Sequence, residues 1–163
     1  MRSKNQDTEI VNIEFDERLL DLLADKIYSE ELTLLRELIQ NSKDANSPKV
    51  DITYRELPNG DYLLEIKDYG KSMTYEFLKN DFKKIGKSFK DGAKTIGVYG
   101  IGRLSIWKLK PYIKHVFLIA TTDSYSSLLI WASPKQYRIR KIKKIGIKGV
   151  TYRIVLSEDI GIN

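Results

Sequence analysis

Residues 37–45, Glu-Leu-Ile-Gln-Asn-Ser-Lys-Asp-Ala, set a carboxylate, a carboxamide and a second carboxylate along one side of a single helix. At about 100° per helical residue, Glu37, Asn41 and Asp44 fall in a narrow stripe that borders the apolar stripe of Leu35, Leu38 and Ala45. Arg36, Gln40 and Lys43 then point to water. Polar groups beside a core are costly to desolvate unless something fills the space they face, and a metal-bound ligand would fill it. An ordinary solvated helix side carries the same residues, so this stretch alone leaves both readings open.

Working outward, Asp16 to Tyr28 has helical spacing through Leu19, Leu20, Leu22, Leu23 and Ile27. Ser29 is placed to cap the helix that carries the opening stretch, and Pro48 predicts that this helix stops near Asn46-Ser47. Lys49 to Glu56 alternates as a half-buried strand, Pro58-Asn59-Gly60-Asp61 is a turn signal, and Tyr62 to Lys67 returns as a hairpin partner that delivers Asp68 at its end. A short helix is expected from Tyr75 to Lys84, then a loop rich in Gly and Lys, then a helix from Gly102 to Lys110. Strands follow at Ile113 to Thr121, Ser126 to Ala132, Tyr137 to Ile142 and Thr151 to Leu156. This order predicts an α+β fold, a two-layer sandwich with helices on one face of a mixed, mostly antiparallel sheet. Residues 1–163 read as a single domain.

Composition excludes several chemistries. The 163 residues are 42% hydrophobic and 31% charged, which suits one folded domain. With no cysteine and His115 as the one histidine, thiolate catalysis, disulfides and a Cys or His zinc cluster are ruled out. No apolar run reaches the roughly 18 residues of a spanning helix, and the first ten residues are too polar for a signal peptide; the expected setting is cytoplasmic, without membrane contact. The net charge of +6 fits an anionic partner such as nucleic acid or nucleotide, or simply a solvated basic surface. No nucleic-acid-binding motif accompanies it.

Two further loci carry chemistry. In Asp68-Tyr69-Gly70-Lys71-Ser72-Met73-Thr74, Gly70 permits a turn with positive φ, Ser72 allows close approach, and Met73 offers a soft apolar wall. Asp68, if buried, is an acceptor for an exocyclic amine; a capped strand-to-helix turn is the plainer reading. Farther on, Gly97, Gly100 and Gly102 precede a predicted helix, where exposed N–H groups make an anion site. Their spacing is neither that of a P-loop nor that of a Rossmann turn, and a flexible loop has the same composition. Lys87 and Ser88 add a cation and a hydroxyl upstream.

The order of these loci resembles the GHKL ATPases, the superfamily of gyrase B, MutL, MORC proteins, histidine kinases and the ninety-kilodalton heat-shock chaperones. Residues 15–45, FDERLLDLLADKIYSEELTLLRELIQNSKDA, resemble the opening helices of the chaperones' N-terminal domain. Ile96 to Gly102, IGVYGIG, is similar to their IGQFGVG. The resemblance implies a Bergerat-type fold that binds ATP with Mg²⁺ and hydrolyses it slowly. It implies Glu37 as general base, Asn41 as Mg²⁺ ligand and Asp68 as acceptor of the adenine amino group. Asp44, Ala45, Gly70, Ser72, Met73, Asp81 and Phe82 would line the pocket, with Lys87 and Ser88 at the ribose and phosphate end. Gly97, Val98, Tyr99, Gly100, Ile101 and Gly102 would donate backbone N–H groups to the phosphates, and Ser88 to Gly97 would form a lid.

Ser72 stands where the family has a second glycine and Asp81 where asparagine is typical. Arg103 replaces an apolar residue, and the family's Gly-Thr pair is Gly149-Val150-Thr151, which makes Thr151 the expected water-mediated partner of Asp68. The chain ends soon after its last predicted strand, so the resemblance implies a missing downstream domain or partner protein and a nucleotide-dependent homodimer. A non-catalytic nucleotide sensor or a basic nucleic-acid-binding module is the alternative.

Overall fold

The computed structural model describes residues 8–12, 14–15, 32–85, 106, 109–133 and 135–159. The helix expected at Asp16 to Tyr28, the Ser29 cap, Lys87, Ser88 and Gly97 to Gly102 lie outside these residues. Of the expected helix from Gly102 to Lys110, Ile106, Leu109 and Lys110 are described, the first two buried and the lysine exposed.

Strands β1 (Glu9–Asn12), β3 (Val50–Glu56), β4 (Tyr62–Asp68), β6 (Ile113–Thr121), β7 (Tyr125–Ser133), β8 (Gln136–Lys143) and β9 (Gly149–Leu156) form one sheet in the order β1-β8-β7-β6-β9-β4-β3. Every pairing in it is antiparallel. A separate parallel pair joins β2 (Glu14–Phe15) to β5 (Lys84–Ile85). Among the described residues the α-helices are α1 (Leu32–Asp44) and α2 (Tyr75–Asn80).

Strand alternation sends Leu64, Ile66, Val116, Leu118, Leu129, Ile139, Tyr152 and Ile154 to one face, and all are buried. Leu34 and Leu38 of α1 and Leu78 of α2 join them in one cluster. Phe82 packs there too, its ring centroid 5.9 Å from Trp131 and 6.0 Å from Tyr137. The Tyr137 hydroxyl donates to the carbonyl of Leu78 at 2.5 Å, which fixes α2 over β8.

Several boundaries differ from expectation for identifiable reasons. Helix α2 starts as predicted, with Thr74 Oγ1 accepting from Phe77 N–H at 3.2 Å, but ends at Asn80 rather than Lys84. Burial of Phe82 and the pairing of Lys84 and Ile85 with β2 take the chain off the helical path. The end of α1 falls where Pro48 predicted, yet Asn46 is the residue that stops it. It takes a left-handed φ of 54° while Ser47 N–H bonds the Ser42 carbonyl at 3.0 Å, closing the last turn. Strand β1 sits in what reads as a polar leader, since Val11 is its one buried residue.

Candidate functional site

Three segments distant in sequence meet at the end of β4. Asp68 is buried, and its Oδ1 accepts from the N–H groups of Gly70 at 2.9 Å and Val150 at 3.2 Å. No protein donor meets its other oxygen among the described residues. Burial pushes the Asp68 carboxyl above its ordinary value, with the two backbone N–H groups acting in the opposite direction. A carboxylate held this way is a fixed acceptor with one oxygen still to satisfy.

The end of α1 is stitched to the loop that follows Asp68. Lys71 N–H donates to the Ala45 carbonyl at 2.8 Å, and Tyr69 N–H to Ser47 Oγ at 2.8 Å. Gly70 does not take the positive φ expected of it. It is required for a different reason: a Cβ there would stand 2.5 Å from the Ala45 carbonyl oxygen. The stripe of Glu37, Asn41 and Asp44 therefore ends at the residue before Ala45, the point where α1 is bonded to the Asp68 loop. Glu37 and Asn41 are half-buried, whereas Asp44 is exposed and accepts from Gln40 Nε2 at 2.9 Å. On the core side of α1, Ser42 bonds back to the Leu38 carbonyl at 2.9 Å.

Strand β9 supplies the third segment. Gly149 has φ of 138°, and a Cβ there would lie 2.1 Å from the Asp68 carbonyl oxygen, so no side chain fits. Its carbonyl accepts from Ser72 Oγ at 3.1 Å, which gives the serine a role that the family's glycine could not perform. The expected pairing of Thr151 with Asp68 is not the arrangement found. Thr151 pairs in register with Lys67, so the pleat turns its side chain to the opposite face of the sheet from Asp68. Val150 holds the adjacent place. Strict alternation along Gly149-Val150-Thr151 is the signal that would have found it.

Met73 is half-buried against the core. Phe82 lies in the aromatic cluster under α2. Asp81 caps α2 and is paired at 2.7 Å with Lys84, which offsets the extra charge it brings. Among the described residues no three His, Cys, Asp or Glu side chains are grouped to hold a metal, and no helix is long and apolar enough to cross a membrane.

Comparison with known proteins gives the family. Residues 28–151 match the family model described as histidine kinase-, DNA gyrase B-, and HSP90-like ATPase. Chaperone protein HtpG of Oceanobacillus iheyensis is 34% identical over 170 aligned positions, covering 88% of this chain and 27% of its own length. HtpG of Alkaliphilus metalliredigens is 30% identical over 172 positions, covering 88% and 25%, and that of Alkaliphilus oremlandii 34% over 110 positions, covering 52% and 18%. The chain thus spans from 18% to 27% of the length of these relatives. A family match across most of its residues and a site where α1, the Asp68 loop and β9 converge lead to one statement: the chain belongs to the histidine kinase, DNA gyrase B and HSP90-like ATPase family.

Proposed function

We propose that this chain is an ATP-binding, Mg²⁺-dependent ATPase domain built as a two-layer sandwich of Bergerat type. Family membership supports nucleotide binding. The observation that carries the reading further is the Asp68 carboxylate, buried and held by Gly70 and Val150 with one oxygen left to accept. The exocyclic amine of adenine is a donor that suits this oxygen, and Met73 supplies apolar contact for the base.

Asn41 offers one amide oxygen, and among the described residues no three His, Cys, Asp or Glu side chains are grouped to hold a metal. That donor set fits Mg²⁺, which keeps several waters and takes one or two protein ligands beside substrate phosphates; the ion would supply neutralisation of charge on the triphosphate. Glu37, one turn before Asn41, holds a water and accepts its proton. As the water oxygen bonds to the γ-phosphorus, the bond from that phosphorus to the bridging oxygen breaks and ADP departs. Lys87, Ser88 and the backbone of Gly97 to Gly102 are proposed to hold ribose and phosphates. Nucleotide-dependent self-association and reliance on a further domain or partner are proposed from the family relation.

Calorimetric titration with ATP and Mg²⁺, beside GTP, tests the reading. ATP binds and GTP, which presents a carbonyl where adenine has its amine, binds far more weakly. Glu37→Ala keeps ATP affinity and loses turnover by about 10²-fold or more. Equal affinity for both nucleotides would remove Asp68 from base recognition, and full turnover by Glu37→Ala would remove the proposed base.

A further inference from the structure

An antiparallel sheet covered on one side alternates apolar residues inward with polar residues outward. Strands β6 and β7 break that alternation. Val116-Phe117-Leu118-Ile119-Ala120 and Leu128-Leu129-Ile130-Trp131-Ala132 are continuous apolar runs, the pattern of strands covered on both faces. Val116, Leu118, Ala120, Leu129 and Trp131 are accounted for by the core. The register sets Phe117 opposite Ile130 and Ile119 opposite Leu128, so these four side chains form a block on the other face, each still partly exposed. Helices α1 and α2 bury their apolar sides on the core face and leave this one alone.

Cations frame the block. Arg138 stands across from Ile130 and Arg140 across from Leu128 on β8, and Arg153 across from Phe117 on β9. Arg153 is bound by Glu65. Arg138 and Arg140 are exposed and have no carboxylate partner among the described residues. Adjacent strands lie about 4.8 Å apart and alternate residues about 6.8 Å, so the block spans roughly the width of one α-helix.

Charge and chemistry select the occupant. A second copy would bring one arginine-framed face against another, which like charges oppose. Single-stranded nucleic acid binds by stacking bases on aromatic rings, whereas three of these four side chains are aliphatic. We infer that this second face of the sheet, centred on Phe117, Ile119, Leu128 and Ile130, docks an amphipathic protein helix that carries carboxylates along the border of its apolar stripe facing Arg138 and Arg140.

The test uses the whole chain and a fluorescent designed peptide of roughly 18 residues, long enough to be helical, with leucines at i, i+3, i+4 and i+7 and glutamates on both borders. Fluorescence anisotropy shows saturable binding in the micromolar range, and a peptide with lysine borders does not bind. Arg138→Glu combined with Arg140→Glu weakens binding by about tenfold or more while the thermal midpoint is unchanged. Ile119→Ser weakens it similarly, and the charge reversal remains decisive should that variant unfold. Absence of binding, equal binding of both peptides, or indifference to the arginine reversal overturns the inference. So does a dimer in sedimentation that Ile119→Ser dissociates, or an oligothymidylate that binds through Arg138 and Arg140 in place of the peptide.

Discussion

Asp68 shows how one residue can be legible in sequence for its type and not for its partners. Its position at the end of an alternating strand marks it as a buried acceptor, but the N–H groups that hold it come from Gly70 and from Val150, 82 residues away. The Asp68→Asn variant keeps an oxygen for those two donors and sets an amide N–H₂ against the adenine amine. An unmet buried donor costs about 1–3 kcal/mol, so ATP affinity in calorimetry falls by about one to two orders of magnitude. Folding responds in the other direction. Because the folded-state carboxyl of Asp68 lies above its ordinary 3.8, the native chain binds more protons than the unfolded chain between those two values, and stability falls as pH rises through that window. Asp68→Asn removes this loss, so urea midpoints across the window decline less than for the wild type. Gly149→Ala is different in kind: its Cβ would meet the Asp68 carbonyl at 2.1 Å with φ of 138°. A cost of about 3 kcal/mol or more is expected in denaturant unfolding, and a near-neutral result would mean that β9 shifts away from Asp68.

Among the elements, α1 and the β3–β4 hairpin were readable because their signals are local: helical spacing, a proline beyond the helix, a Pro-Asn-Gly-Asp turn. In the hairpin, Leu57 N–H closes on the Asp61 carbonyl at 2.7 Å and Gly60 takes φ of 82°. Strand β1 was not readable, since a single buried valine makes no period. It is held by its ladder with β8 and by a clip to α2, in which Glu9 accepts from Tyr75 Oη at 2.8 Å and pairs with Lys79 at 2.7 Å. The bonds from Lys79 and Tyr75 hold the Glu9 carboxyl below its ordinary 4.5, while burial and then Glu9 push the Tyr75 phenol up to about 12. Glu9 therefore contributes stability above pH 4.5 that is lost as pH falls through its depressed value, and Tyr75 contributes stability below pH 10 that is lost as pH rises toward about 12. Amide protection factors for Ile10 to Asn12 are expected to hold between these limits and drop outside them. Glu9→Gln flattens the acid side; an unchanged acid profile in that variant would show that the clip does not hold β1.

For the molecule as a whole, the aromatic cluster of Phe82, Trp131 and Tyr137 joins the α2 region to strands β7 and β8 of the sheet. Trp131→Ala is expected to cost about 3–5 kcal/mol in equilibrium unfolding, far more than loss of an exposed residue, and a cost under about 1 kcal/mol would place the core elsewhere. Trp131 and Tyr137 face each other across the β7–β8 hairpin, whereas Phe82 lies far from both in sequence, so no local pattern sets Phe82 among these rings. By itself the sequence determined the α+β class, the strand count of the second half, the polar stripe of Glu37, Asn41 and Asp44, and the family, because each is written in short-range period or in contiguous motif. Only the tertiary structure decided the strand order, the pairing of Val150 rather than Thr151 with Asp68, the close approach that requires Gly70, and the partly exposed apolar block on β6 and β7. Those depend on register between strands far apart in the chain, where a shift of one residue reverses every side chain, and no local pattern of residues specifies that register.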